Sequence, residues 1–177
     1  MKFFRPILII VILTCFCLSL TQYLGAKEAS SMKLTLLFDE DKLEYKLKDP
    51  IYISFRLKNI ASKPIYINKR FFVNSEDSQP GYRELFLEVT GPSGEKLPGR
   101  EPRDTGFPRT GDFVLLEPDE EITSERKKSL RAYFDLEETG KYKIVAIYHN
   151  VYGEEIGVDT FRDKVTSKPV TIKIEKE

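Results

Sequence analysis

The sequence predicts an all-β sandwich or barrel of seven to eight strands, and three observations carry that reading. Apolar and polar residues alternate at period two through most of the chain after residue 31, the pattern of strands with one buried and one wet face. Turn-forming residues punctuate these runs at short intervals, and no long segment repeats at the helical period. Both cysteines, Cys15 and Cys17, lie ahead of the first such run, so the strand region must be held by core burial rather than by disulfides. A domain of about 150 residues buries roughly 68–70% of its unfolded surface, enough for such a core.

The first element reads as an export signal over residues 1–26. Lys2 and Arg5 form a basic start, the uncharged apolar run "ILIIVILTCFCLSL" (7–20) follows, and Leu24 and Ala26 stand where a signal peptidase would cut. A signal helix of this length falls short of the roughly twenty apolar residues that a spanning helix needs. The alternative is an uncleaved anchor over residues 6–24. Cys15 and Cys17 match a lipid-modification pattern poorly and read as small apolar residues of the signal. A short linker (27–32) leads into a single domain over 33–177.

Within that domain the strands follow in order. "KLTLLF" (33–38) alternates Leu34, Leu36 and Phe38. "PIYISFRLKNI" (50–60) places Ile51, Ile53, Phe55 and Leu57 on one face, and "KPIYIN" (63–68) follows after the turn "NIASKP". "ELFLEVT" (84–90) sets Leu85, Leu87 and Val89 on one side, and "GPSGEK" (91–96) reads as a tight hairpin connection. "FVLLEP" (113–118) is followed by the turn "EPDEE". In "ITSERKKSLR" (122–131), Ser124, Arg126 and Lys128 share parity with Ile122 and Leu130. Charges on an inward face suit an edge strand, where they block pairing with another sheet. One helical turn is expected near 131–138. "KYKIVAIYHN" (141–150) has apolar residues on both faces, as a strand near the sheet centre should, and "PVTIKIE" (169–175) ends the set.

Catalytic motifs are scarce. The single histidine, His149, rules out H-E-x-x-H, and no nucleophile elbow, P-loop or G-x-G-x-x-G occurs. His149 could act as a general base only beside a nucleophile and an orienting partner, and at the end of an apolar strand its expected role is structural. No catalytic residue, metal ligand or cofactor is assigned, and the chain is expected not to be an enzyme. The acidic runs at 39–41 and 117–121 lack the spacing of a dedicated calcium loop and read as solvated turns. Basic and acidic residues balance at 28 each, so neither nucleic acid nor an anionic membrane is expected as a partner. Membrane contact would come only from an uncleaved signal.

The segment "PGREPRDTGFPRTGD" (98–112) is the most site-like, with Arg100, Arg103, Phe107 and Arg109 among three prolines and three glycines. A loop this long inside a compact domain is often functional, and arginines with an aromatic are the residues that dominate binding hot spots. The bland alternative is a crossover between sheets, with Phe107 covering the rim of the core. "NSEDSQPGY" (74–82) is a weaker candidate.

Taken in order, "ISFRLKNIASKPIYI", "LFLEVTGPSGEKLP", "LLEPDEEI", "FDLEETGKYKIVAIY" and "VTSKPVTIKI" resemble the succession found in immunoglobulin-like sandwiches of exported bacterial proteins. The chain resembles the non-catalytic β-domain that precedes the metallopeptidase domain of deuterolysin-like proteins and, more loosely, the intracellular proteinase inhibitor family. The resemblance, over roughly 33–175, implies a two-sheet immunoglobulin-like sandwich; it implies no peptidase activity and transfers no functional residue. In such sandwiches a tyrosine near the start of one strand bonds back to the preceding corner, and Tyr142, just after Gly140, fits that role. The expected function is that of an exported, non-catalytic module, periplasmic or secreted, binding a protein or envelope component through its loops. The alternatives are a proteinase inhibitor presenting the 98–112 loop, or a carbohydrate-binding module. Tyr52 and Tyr66 exposed on one sheet face would favour the last.

Overall fold

In the computed structural model, which describes residues 30–74, 84–100 and 106–177, the chain is all β. The proposed signal and anchor segments lie outside the described residues. Among the described residues no helix is long and apolar enough to cross a membrane. The strands are β1 (Met32–Phe38), β2 (Glu44–Lys46), β3 (Tyr52–Asn59), β4 (Ile65–Asn68), β5 (Val73–Asn74), β6 (Leu85–Thr90), β7 (Phe113–Leu116), β8 (Glu121–Thr123), β9 (Lys128–Ser129), β10 (Gly140–Tyr148), β11 (Val165–Thr166) and β12 (Val170–Glu175).

These strands form three sheets. One is β1-β3-β8, all antiparallel, with β9 on the same edge of β3 as β8. A second has the order β2-β12-β10-β6-β5, with β11 also on β10; β2–β12 and β5–β6 are parallel pairs. The third is the ribbon β4–β7. The chain leaves the first sheet for the second through a short 3-10 turn in which Glu40 and Asp41 both take φ 53. Aspartate is among the residue types enriched in the left-handed region, which suits Asp41, and Glu40 adopts it at an exposed turn.

Period-two burial builds one core from the two large sheets. Met32, Leu34, Leu36 and Phe38 of β1 and Ile53, Phe55 and Leu57 of β3 face it from one side. Leu85, Leu87 and Val89 of β6, Ile144 and Ala146 of β10, and Ile172 and Ile174 of β12 face it from the other. Each fully buried aliphatic or aromatic side chain contributes about 1.5–3 kcal/mol by leaving water. β10 is central, paired with β6 and β12, which accounts for its apolar residues on both faces.

Two tyrosines of β10 fix its ends. At the start, the Tyr142 hydroxyl donates to the Glu138 carbonyl (2.8 Å) and accepts from the Glu138 N–H (3.2 Å), the corner read from the sequence. At the far end, the buried Tyr148 hydroxyl donates to the Asn68 carbonyl (3.1 Å) and accepts from its N–H (3.0 Å), tying β10 to β4. Arg131 does similar work at the lower end, donating to the carbonyls of Leu47, Asp49 and Leu136.

Three expectations change. The described residues hold twelve strands rather than seven or eight, because β2, β5 and β11 are only two or three residues long and carry no period to read. Met32 opens β1 and is buried, although it reads as the last residue of the 27–32 linker. The run 122–131 is not one strand but β8 and β9, separated by a break. At the break Ser124 bonds Phe55 twice, its N–H to the carbonyl (2.8 Å) and its Oγ from the N–H (3.1 Å). The edge position was legible; the break was not. It leaves Arg126 exposed while Lys128 turns partly inward over the Phe72 ring at 5.7 Å.

Candidate functional site

Where β4 and β10 end and β6 begins, polar residues gather below an exposed aromatic. The sequence explains the assembly locally. Asn68 closes β4, and its amide bonds Asn150 just beyond β10 (3.2 Å). Phe71 then turns the chain through φ 49, a left-handed conformation that a bulky residue adopts at a cost of about 1–3 kcal/mol. Its ring is fully buried, 6.4 Å from Phe55 and 6.3 Å from Tyr148. This turn separates Arg70 from Phe72, yet brings the Arg70 guanidinium back over the Phe72 ring at 4.8 Å.

The Arg70–Glu84 ion pair is the centre of the site. Its side chains are 9% and 1% exposed, and Arg70 Nε donates to Glu84 Oε1 at 2.8 Å, with Nη2 on the same oxygen. The other carboxylate oxygen accepts from the Phe72 N–H at 3.3 Å, and the Asn68 side chain also bonds the carboxylate. Burial pushes the Glu84 carboxyl above the usual carboxylate range, and the bonds from Arg70 offset part of that rise. Lys128, close enough to feel Glu84, is pushed below the ordinary lysine range by its own burial. A buried carboxylate therefore faces two cations.

Arg70 also reaches outward. Nη1 and Nη2 each donate to the Gly106 carbonyl at 3.2 Å, and the guanidinium lies 5.9 Å from the Tyr152 ring. Phe107 follows Gly106, is 66% exposed, and meets Tyr152 edge-on at 6.0 Å. Pro108 behind it is buried. Tyr152 is itself held: its carbonyl accepts from Asn150 Nδ2 (2.8 Å) and Thr160 Oγ1 (2.7 Å). The outcome is an aromatic side chain presented to solvent on a base that a buried ion pair and a second aromatic hold in place.

The four residues singled out from the sequence fare differently. Phe107 stands at the tip of this base, and Arg109 is exposed two residues on, its N–H donating to the Asp112 carboxylate (2.6 Å). Arg100 is bound elsewhere: its N–H donates to the Tyr133 carbonyl (2.8 Å) and its guanidinium pairs with Asp135. Arg103 lies outside the described residues, as do residues 75–82 of the weaker candidate loop. Three arginines and one aromatic therefore do not share a single anchor. His149 is half-buried, and its N–H donates to the Glu84 carbonyl (2.9 Å), so its backbone belongs to the site.

Sequence reasoning missed Arg70 and Glu84. The one available signal was Phe86, an aromatic on the outward parity of "ELFLEVT" two residues after Glu84. Such a residue shows that this end of the strand is covered, and it is buried with Lys164 over its ring at 5.3 Å. Tyr52 and Tyr66 are both exposed but lie on different sheets, Tyr52 on β3 and Tyr66 on β4. The shared stacking face set as a mark of a carbohydrate module is not formed. In the acidic runs, Asp39 pairs with Lys127, and Asp119 pairs with Lys58. Among the described residues no three His, Cys, Asp or Glu side chains gather to hold a metal.

No protein-family model matches the chain, and no curated protein matches it. Among solved structures, it aligns with the novel β-glucosidase EmGH1 of Erythrobacter marinus at 16% identity and a TM-score of 0.37. The alignment covers 82% of this chain and 15% of the glucosidase. The expectation that the chain is not an enzyme is corrected: it rested on missing motifs, the aligned protein is an enzyme, and catalysis is neither assigned nor excluded. A likeness at this level carries no argument about activity or ligand.

Proposed function

We propose that the chain is an exported interaction module that binds a protein or cell-envelope component through the loop end carrying Phe107. One observation carries the reading: Phe107 is 66% exposed while everything beneath it is fixed, through Gly106 on Arg70, Arg70 on Glu84, and the ring on Tyr152. Aromatic side chains are the commonest hot-spot anchors, and an anchor ordered before binding spares the partner the entropy of ordering it. Arg109, exposed beside it, supplies the polar rim. Export rests on the basic, apolar and small-residue succession of 1–26. The Tyr142 corner, together with a first strand that gives way to β2 in the opposite sheet, supports the finer immunoglobulin-like reading.

The test is chemical crosslinking in the native envelope or medium, with the captured partner identified by mass spectrometry. Phe107→Ala should abolish capture while lowering the melting temperature only slightly, because Phe107 lies outside the core cluster and gives up one edge-on contact with Tyr152. Arg100→Ala should leave capture intact, because Arg100 is paired with Asp135 away from Phe107. Retention of the partner by Phe107→Ala refutes the assignment. Intact mass of the exported protein, expected to begin near Lys27, checks the proposed cleavage.

A further inference from the structure

Beside the β4–β7 ribbon lies a groove of about 940 Å³ that the Phe107 site does not use. Tyr66 and Leu115 are direct antiparallel partners, so their side chains lie on one face of the ribbon. They remain 42% and 37% exposed and form the apolar floor. Lys63, Asp159, Arg162 and Asp163, all exposed, stand around it. Together they make a small apolar patch among charged groups, and the groove volume falls within the range of small-molecule sites.

The far wall is built, not loose. Val158 and Ile156 N–H groups both return to the Gly153 carbonyl (2.9 and 3.1 Å), and Arg162 pairs with Glu154 at 2.8 Å. Thr160 is buried between Asn150 Nδ2 (3.1 Å) and the Tyr152 carbonyl (2.7 Å). Gly153 at φ 131 allows this closure, since a Cβ there would sit 2.7 Å from Thr160. The wall reaches β4 through a parallel bridge, Tyr66 to Thr160, with the Phe161 N–H on the Tyr66 carbonyl (2.8 Å).

That bridge decides what kind of ligand fits. The Tyr66–Thr160 bridge and the Phe161 N–H occupy the edge of β4 at Tyr66, which disfavours an extended peptide adding there as a further strand. Recognition must come from side chains: an aromatic face with carboxylates on one hand and an ammonium and a guanidinium on the other. Neither sign dominates, which disfavours a polyanion or a polycation. A pyranose matches both features, with a C–H face that packs on a ring and hydroxyls that donate to Asp159 and Asp163 and accept from Lys63 and Arg162. We infer that the groove over Tyr66 and Leu115 binds a neutral oligosaccharide.

The test uses cellohexaose, chitohexaose, maltohexaose and mannohexaose as probes, followed by saturation-transfer NMR and isothermal titration. At least one should bind with Kd of roughly 0.1–1 mM. Tyr66→Ala should weaken that binding about tenfold or more, while Phe107→Ala should leave it unchanged, so this site and the Phe107 site fail separately. Should Tyr66→Ala not fold, as judged by circular dichroism, the double variant Asp159→Asn with Asp163→Asn is expected to weaken binding about threefold. The proposal is overturned if no probe binds at about 5 mM, or if the measured affinity is the same in the folded variants as in the parent chain.

Discussion

At the scale of single residues, the polar groups buried in this protein are those that join elements. Tyr142 and Tyr148 lie six positions apart on one strand and make the same kind of bond, a hydroxyl bridging the N–H and C=O of one residue. Their surroundings differ, since the Asn68 groups are buried and those of Glu138 are near solvent. Tyr148→Phe leaves two buried backbone groups without a partner and should cost about 2–4 kcal/mol, against about 1 kcal/mol for Tyr142→Phe, where water can replace the hydroxyl. Urea denaturation of the two variants gives the ranking directly. Burial raises the Tyr148 hydroxyl pKa well above the usual tyrosine range, so it stays a donor at any ordinary pH. For Glu84→Gln, the shape is kept and the charge is lost, so Arg70 is left buried without its counter-charge. The expected cost is about 3–5 kcal/mol, read as a lower urea midpoint at unchanged m-value.

Among elements, β10 shows how a local glycine and a tertiary neighbour set one boundary together. Gly140 has φ +142, and a Cβ added there would sit 2.7 Å from the Pro92 side chain in the β6 hairpin. Gly140→Ala therefore meets both a strained backbone and a clash, and should destabilise by about 2–4 kcal/mol, as measured by thermal melting. Long alternating strands were legible in the sequence: β1, β3, β6, β10 and β12 fall within a residue or two of their expected bounds. The edge role of 122–131 was expected from charges on an inward face; β8 and β9 do lie on the edge of β3, but Arg126 is exposed rather than inward. The division of 122–131 was not legible, because Ser124 bonding to Phe55 depends on a strand nearly seventy residues away in sequence.

For the whole molecule, one continuous core joins the two large sheets. Neither sheet can lose its partner without exposing the shared apolar face, so unfolding should be a single transition. Far-UV circular dichroism and tyrosine fluorescence, the latter usable because the chain has no tryptophan, are expected to give coincident denaturation curves. A first transition seen by only one probe would mean that the β4–β7 ribbon or the 150–163 excursion melts by itself.

The sequence by itself determined the all-β class, the inward face of each long strand, the edge position of 122–131 and the corner at Tyr142. These depend on period two and on contacts a few residues apart, which are written along the chain. It also marked Phe107, through the rarity of an aromatic in a long glycine- and proline-rich loop. Only the tertiary structure decided that Arg100 belongs to another part of the surface, that Arg70 and Glu84 hold the loop, and that Tyr66 and Leu115 share a groove with 157–163. Each of those pairings joins residues far apart in the chain. Which partners meet there is fixed by how the sheets pack, a property that no local pattern encodes.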